Sequence, residues 1–335
     1  MTKIQKFLQK LHFDKQTLLL LVIFIILVAS FGISEDKFLA PRSISSMAFQ
    51  LPEIGILSLA MMITVIINGI NLSVNSIANL AAVVSGLFML RVMPSIVPNA
   101  SPALTIATAT MVALITGFLA GAMNGVLIGY FGAPPILVTL ASQAFFSGLA
   151  VGLTKGSSLT GFSDPIGYIG SKSFLGIPIP FLVFVGVTII SYILLNHTTF
   201  GFRTRMLGTN PLAANFSGIN NKSMTMKVYI YSGILAAIAG VLVMSRTMSA
   251  SYQYGSSTYV TLTLLVFVLA GVIAGSGNVI NIFITVLILQ VISTGFHMLL
   301  VGMSGSSFFK DFVWGLLLIF ILIMNTFSNR SKLKD

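Results

Sequence analysis

The sequence predicts an all-α, polytopic membrane protein: one transmembrane domain over residues 1–335, about ten transmembrane helices, both termini cytoplasmic. Three observations carry that reading. Hydrophobic residues make up 56% of the 335 and charged residues only 7%, with a mean hydropathy of +1.00; a soluble domain carries roughly 25% charged residues. Apolar runs recur at close to the ~20 residues needed to cross about 30 Å of hydrocarbon. The basic residues gather on alternate connections between those runs, as they do where a loop stays in the cytoplasm. The composition excludes a soluble globular protein, and it is far too apolar for a disordered one. Cysteine is absent, which removes disulfides and thiolate chemistry. His12, His197 and His297 lie far apart with no metal-ligand spacing.

Taken in order, the first span is 17–33. Lys3, Lys6, Lys10 and Lys15 before it, and Val28-Ala29-Ser30 within it, resemble a signal peptide and its cleavage site. The apolar run nevertheless continues through Phe31 and Ile33, so it is read as a retained helix. Spans 52–70 and 76–93 stand close enough to be one helical hairpin broken inside the membrane. Then come 103–129, 135–154, 178–195, 226–247, 258–275, 279–299 and 308–326. With the N-terminus inside, the cytoplasmic side holds Lys3, Lys6, Lys10, Lys15, Arg203, Arg205, Lys222, Lys227, Arg330, Lys332 and Lys334 against Asp14 and Asp335. The outer side holds Lys37, Arg42, Arg91, Lys155, Lys172, Arg246 and Lys310 against Glu35, Asp36, Glu53, Asp164 and Asp311. The net charge of +11 is therefore a topology signal rather than a nucleic-acid footprint.

Three connections are unusual. The polar interval 196–225 is long for a tightly connected bundle, and Asn210-Pro211 can open a helix, with Asn at the cap and Pro in the first turn. That helix would run to about Phe216 and stop at Gly218. It is either a docking element on the cytoplasmic face or a re-entry loop joining two spans. Asn68, Asn71, Ser73, Asn75 and Ser76, with Asn79 one turn on, concentrate polar groups between apolar runs. The stretch 271–281 repeats the theme. Backbone broken at membrane depth survives only where protein buries it or where it lines a wet cavity, so these are either the polar lining of a solute path or tight turns between hairpins.

Several chemistries are missing. No G-x-x-x-x-G-K-[ST] occurs, so the chain cannot cradle ATP phosphates itself, and there is no H-E-x-x-H. Glu53 is the one carboxylate within an apolar run. Following Pro52 at the start of the second span, it reads as an interfacial carboxylate rather than a proton relay. His297 reads as a packed or snorkelling residue. Gln143 and Asn124, within spans, suit either a hydroxylated solute or neighbouring helices. A polar, almost uncharged interior fits a neutral hydroxyl-bearing solute, with power supplied by a partner at the basic face.

Four segments carry a family likeness. Gly69-Ile70-Asn71-Leu72-Ser73-Val74 resembles the G-G-I-D-L-S-V-G segment of the ribose-type ABC transporter permeases. Ala133-Pro134-Pro135-Ile136-Leu137-Val138-Thr139-Leu140, running on to Gly148-Leu149-Ala150, is similar to their P-x-F-I-V-T-L…G-L-A. The most specific match joins His197-Thr198-Thr199-Phe200-Gly201 to Gly208-Thr209-Asn210-Pro211-Leu212-Ala213-Ala214-Asn215-Phe216-Ser217-Gly218-Ile219. Ser232-Gly233-Ile234-Leu235-Ala236, running to Ala239-Gly240, is similar to the helix that follows it in the family.

The resemblance implies a membrane-spanning, non-enzymatic importer subunit in a bacterial plasma (inner) membrane. Its implied partners are a cytoplasmic ABC ATPase, a second permease (identical or different) and an extracytoplasmic solute-binding protein. It implies no cofactor on this chain, the ATP-Mg belonging to the ATPase. The coupling loop becomes 196–226, with Gly208, Thr209, Asn210, Pro211, Ala213, Ala214, Ser217, Gly218 and Ile219 in the coupling role. The path residues become Asn68, Asn71, Ser73, Asn75, Asn79 and Gln143. The implied solute is a ribose-like pentose; autoinducer-2, galactofuranose and nucleoside importers of the same family are alternatives, and a stand-alone secondary carrier is the alternative of another class. Two departures stand out. Asn71 and Asn75 replace the family's usual Asp and Gly, and the glycine-rich segment after the eighth span has shrunk to Gly271, Gly275 and Gly277.

Overall fold

The computed structural model describes residues 14–300 other than Asn99 and Ser163, together with Phe312, Trp314, Gly315, Leu316 and Ile319. Its chain order is α1 (Lys15–Ser34), α2 (Pro41–Ile66), α3 (Val74–Ile96), α4 (Pro102–Gly129), α5 (Pro135–Thr154), α6 (Asp164–Ser171), a short hairpin of β1 (Ser173–Phe174) and β2 (Ile177–Pro178), α7 (Ile179–His197), α8 (Thr199–Thr209), α9 (Pro211–Phe216), α10 (Asn221–Thr247), α11 (Ser256–Leu269) and α12 (Val279–Leu299). Among the described residues α1 to α5, α7, α10 and α12 are long and apolar enough to cross a membrane, while the apolar part of α11, Thr258–Leu269, is shorter. The fold is an all-helical polytopic membrane protein. The expected span 308–326 lies almost wholly outside the described residues.

Local chemistry sets the helix starts. Proline occupies the first turn of α2, α4, α5, α7 and α9, where its missing N–H has no helical partner to lose. The side chains of Ser101, Asn210, Asn220 and Asn278 cap α4, α9, α10 and α12 by accepting first-turn N–H groups.

Helix α10 is the hub, packing on α4, α3, α2 and α6. Its approach to α4 is close because Gly117, Gly121, Gly125 and Gly129 recur every four residues on the facing side of α4. A Cβ at Gly125 would sit 2.7 Å from Met226 Cα, and one at Gly129 2.8 Å from the Lys222 carbonyl. Without Cβ atoms the two backbones meet directly, the small-residue packing that replaces hydrophobic drive inside lipid. Helices α2, α3, α10 and α12 are mostly buried, whereas α1, α4, α5 and α7 are not. Ile25 on α1 (63% exposed), Leu119 on α4 (60%) and Leu137 on α5 (62%) turn outward. Large exposed apolar side chains on whole helix faces are what a hydrocarbon surround accepts.

Two boundaries depart most from the sequence reading. Helix α2 begins at Pro41 rather than near 52, because the serine-rich first turns 41–46, though weak in hydropathy, carry on the same helix. The eighth span stops at Leu269 instead of 275: Gly271 and Gly275 adopt φ of 70° and 77°, and an αL glycine ends a helix.

Candidate functional site

Four basic residues, Arg203, Arg205, Lys222 and Lys227, mark one end of the bundle, where α8 and α9 lie. The expected short helix is present as α9, Pro211–Phe216. Asn210 Oδ1 accepts the N–H groups of Leu212 and Ala213, both at 3.0 Å, and Gly218 (φ 78°) turns the chain out of it. Ala214 is fully buried and joins Leu207, Ile219 and Met224 in a small core, with Ile67 packed against it. That core pins the α8–α9 pair to the end of α2 and the start of α10. Gly208 is pressed against the Ile66 carbonyl and the Gly275 amide, and Gly275 N–H donates to the Ile66 carbonyl at 2.8 Å. Any side chain at 208 would force these backbones apart. Thr209 lies beside Gly275; Thr209, Asn210, Pro211, Ala213, Ser217 and Gly218 are exposed. Leu212 (67% exposed) and Phe216 (83%) project from the same pair.

The polar linker between α2 and α3 is a buried hydrogen-bond cluster. Asn71, Ser73, Asn75 and Asn79 are all at most 5% exposed. Asn71 Nδ2 donates to Ser232 Oγ at 3.0 Å, and its Oδ1 accepts from the Ser73 hydroxyl at 2.7 Å. Asn124 Nδ2 donates to Ser73 Oγ at 2.9 Å, and the Ser232 hydroxyl to the Ala60 carbonyl at 2.7 Å. One network thus ties α2, the linker, α4 and α10 together, which is how the broken backbone is tolerated. Asn68 differs: it is exposed, in the αL region at φ 62°, and borders a cavity of about 250 Å³ with Pro134 and Phe267. Beside the linker, Tyr229 Oη and Asn124 Oδ1 are buried with no hydrogen-bond partner among the described residues. Gln143 is half-buried on α5, one turn before Ser147, whose hydroxyl meets that of Ser76 at 3.0 Å.

Asn75 and Asn79 reach further than the sequence suggests. Their amide nitrogens donate to the Tyr254 carbonyl at 3.0 Å, and Asn79 also holds the Tyr252 carbonyl at 3.0 Å. They thereby set the loop between α10 and α11. That loop brings Tyr254 to Glu53, whose Oε1 pairs with Arg246 Nε at 2.5 Å and whose Oε2 accepts from the hydroxyls of Tyr254 at 3.1 Å and Tyr259 at 2.7 Å. Glu53 is therefore enclosed by the bundle and does not stand at the start of its helix. It is 2% exposed at mid-length of α2, because that helix starts well before Pro52. The sequence reading missed Arg246, Tyr254 and Tyr259; an arginine ending an apolar run, followed by three tyrosines at 252, 254 and 259, is the signal that marks them. Among the described residues no group of acidic and histidine side chains could hold a metal ion.

Residues 43–322 match the family described as branched-chain amino acid transport system / permease component. The ribose import permease protein of Bacillus subtilis is 33% identical over 324 residues, 95% of each chain. The D-allose transport system permease protein of Escherichia coli is 28% identical over 82% of each chain. The autoinducer 2 import system permease protein of an Enterobacter strain is 27% identical over 86% of each. No solved structure matches. A bundle of lipid-facing helices, a buried polar seam and near-complete coverage by importer permeases together assign this chain to that permease-component family.

Proposed function

We propose that the chain is the membrane-spanning subunit of an ATP-driven importer in a bacterial inner membrane, carrying a small, neutral, sugar-like solute of the ribose type. Its basic end faces the cytoplasm, where Arg203, Arg205, Lys222 and Lys227 belong by the positive-inside rule. A separate ATPase docks there on α8–α9 and hydrolyses the ATP; a second permease completes the channel, and an extracytoplasmic binding protein delivers solute. The observation that carries this reading is the capped helix α9. Leu212 and Phe216 stand exposed as an apolar grip beside basic side chains, while Ala214 and Ile219 root the helix in the bundle. A loop that only joined two spans would need neither a cap nor such a root.

The same contacts suggest how force passes inward. Movement of α9 must move Ile66 at the end of α2 and Met224 at the start of α10, since no slack exists at Gly208. Those two helices carry Glu53 and Arg246 to the far side of the bundle. ATP binding then favours one arrangement of α2 and α10 over the other by binding one state more tightly. The solute path runs past Asn68, Asn71, Ser73, Asn75, Asn79 and Gln143, and the unpartnered Tyr229 hydroxyl and Asn124 carbonyl beside the linker support polar passage there.

The test is co-purification of the tagged permease in mild detergent, with mass spectrometry of what accompanies it. An ATP-binding-cassette ATPase is expected in the wild type and is lost with Phe216→Glu. A permease that purifies alone, yet takes up solute in response to an ion gradient, overturns the reading in favour of a secondary carrier.

A further inference from the structure

A cavity of about 320 Å³ opens where α2, α11, α12 and the end of α10 meet, on the side of the bundle away from α8–α9. Its volume is at the small end of small-molecule sites. The Glu53–Arg246 pair forms one wall. Charges buried within a membrane bundle are costly and mark solute paths; here they cancel, so the wall offers hydrogen bonds without net charge. Glu53 is fully engaged by Arg246, Tyr254 and Tyr259. Arg246 is not: of its five N–H donors, Nε serves Glu53 and one from Nη2 serves Tyr254 at 2.6 Å. The others have no partner among the described residues, and its side chain keeps 28% exposure.

Two hydroxyls border the same space, Thr258 on α11 and Ser293 on α12, neither with a hydrogen-bond partner among the described residues. Trp314, the single tryptophan of the sequence, supplies an aromatic wall. Unused donors, hydroxyls of either polarity and an aromatic face are the chemistry that holds a polyhydroxyl ring.

We propose that this cavity is an intramembrane solute site that holds a pentose-sized neutral sugar by Arg246, Thr258 and Ser293 against Trp314. The inference rests on the importer reading and gives it a place in the molecule. Glu53 lies thirteen residues from Ile66, about 20 Å along α2 at 1.5 Å per residue, so the site sits midway along that helix and the ATPase face at its C-terminal end.

The test uses the full-length permease in lipid nanodiscs, with fluorescence of the single tryptophan followed during titration with D-ribose, D-allose and L-leucine. One of the two sugars is expected to give a saturable change and L-leucine none. Ser293→Ala and Thr258→Val, which leave the ion pair intact, are expected each to weaken the response about tenfold. ATP-driven D-ribose and D-allose uptake is measured in parallel with the assembled complex in proteoliposomes. Sugar uptake by a wild type whose tryptophan ignores both sugars, or whose affinity neither variant changes, overturns the site and leaves the importer standing. Saturable binding of L-leucine overturns the sugar assignment of the cavity. Failure of the assembled complex to take up either sugar overturns the importer's solute class, and the site's with it.

Discussion

Replacing Gly121 by alanine isolates what holds the bundle's hub together. Alanine favours a helix over glycine by about 0.5–1 kcal/mol at any interior position. Gly186 on α7 has nothing within 4 Å of where a Cβ would sit, so Gly186→Ala collects that gain or stays neutral. At Gly121 the new methyl would lie 2.8 Å from Ile230 Cα and 3.0 Å from the Tyr229 carbonyl carbon, against an optimum of about 3.5–4.0 Å for carbon contacts. Both neighbours are backbone, so no side chain can swing away, and α4 and α10 must part by nearly 1 Å along the row from Gly117 to Gly129. Overpacking of that kind costs about 1–3 kcal/mol. Propensity cancels between the two variants, so Gly121→Ala should fall below Gly186→Ala by about 1–3 kcal/mol. The assay is unfolding of the purified permease from mild detergent by added SDS, followed by far-ultraviolet circular dichroism. Equal midpoints for the two variants refute direct backbone packing between α4 and α10.

Three further outcomes are expected. Arg246→Ala strands a carboxylate that is 2% exposed; breaking a buried pair costs about 3–5 kcal/mol, and Arg246's partial exposure puts the loss near 3. Glu53→Leu combined with Arg246→Met should recover most of it in the same assay, and no recovery contradicts the pairing. Ala214→Pro, in the middle of α9, should leave the permease inserted while abolishing ATPase retention in the pull-down; retained ATPase and normal transport contradict docking on α9. Asn71→Leu deletes the donor to Ser232 and the acceptor for Ser73, for a loss of about 1–3 kcal/mol and reduced uptake, while unchanged uptake returns the linker to an ordinary turn.

What the sequence could disclose depended on whether the signal was local. Helix α9 was legible in its bounds, because cap, first-turn proline and terminal glycine are contiguous at 210, 211 and 218. The α2–α3 linker stood out for its density of Asn and Ser, yet its job was only half visible. That Asn75 and Asn79 hold carbonyls at 252 and 254 depends on contacts 173 to 179 residues away. Glu53 was misplaced because hydropathy dates a span from where apolar residues begin, whereas α2 starts in a serine-rich turn of weak hydropathy at Pro41. Its partner Arg246, 193 residues on, read as an ordinary outer charge for a different reason: the arginine and the tyrosines after it mark a polar site locally, but nothing local says that it pairs across the bundle with Glu53. The eighth span ran long because hydropathy does not register a positive φ, and Gly271 and Gly275 stop α11 by conformation rather than by polarity.

Under the proposed function, this chain imports solute only when a separate ATPase drives it. Uptake of radiolabelled D-ribose into proteoliposomes, with the permease alone or assembled with its co-purified ATPase and a binding protein, tests it most directly. Accumulation that requires the complete assembly and ATP, and disappears with Phe216→Glu, is the predicted result. Accumulation by the permease alone under a proton or sodium gradient would contradict the account.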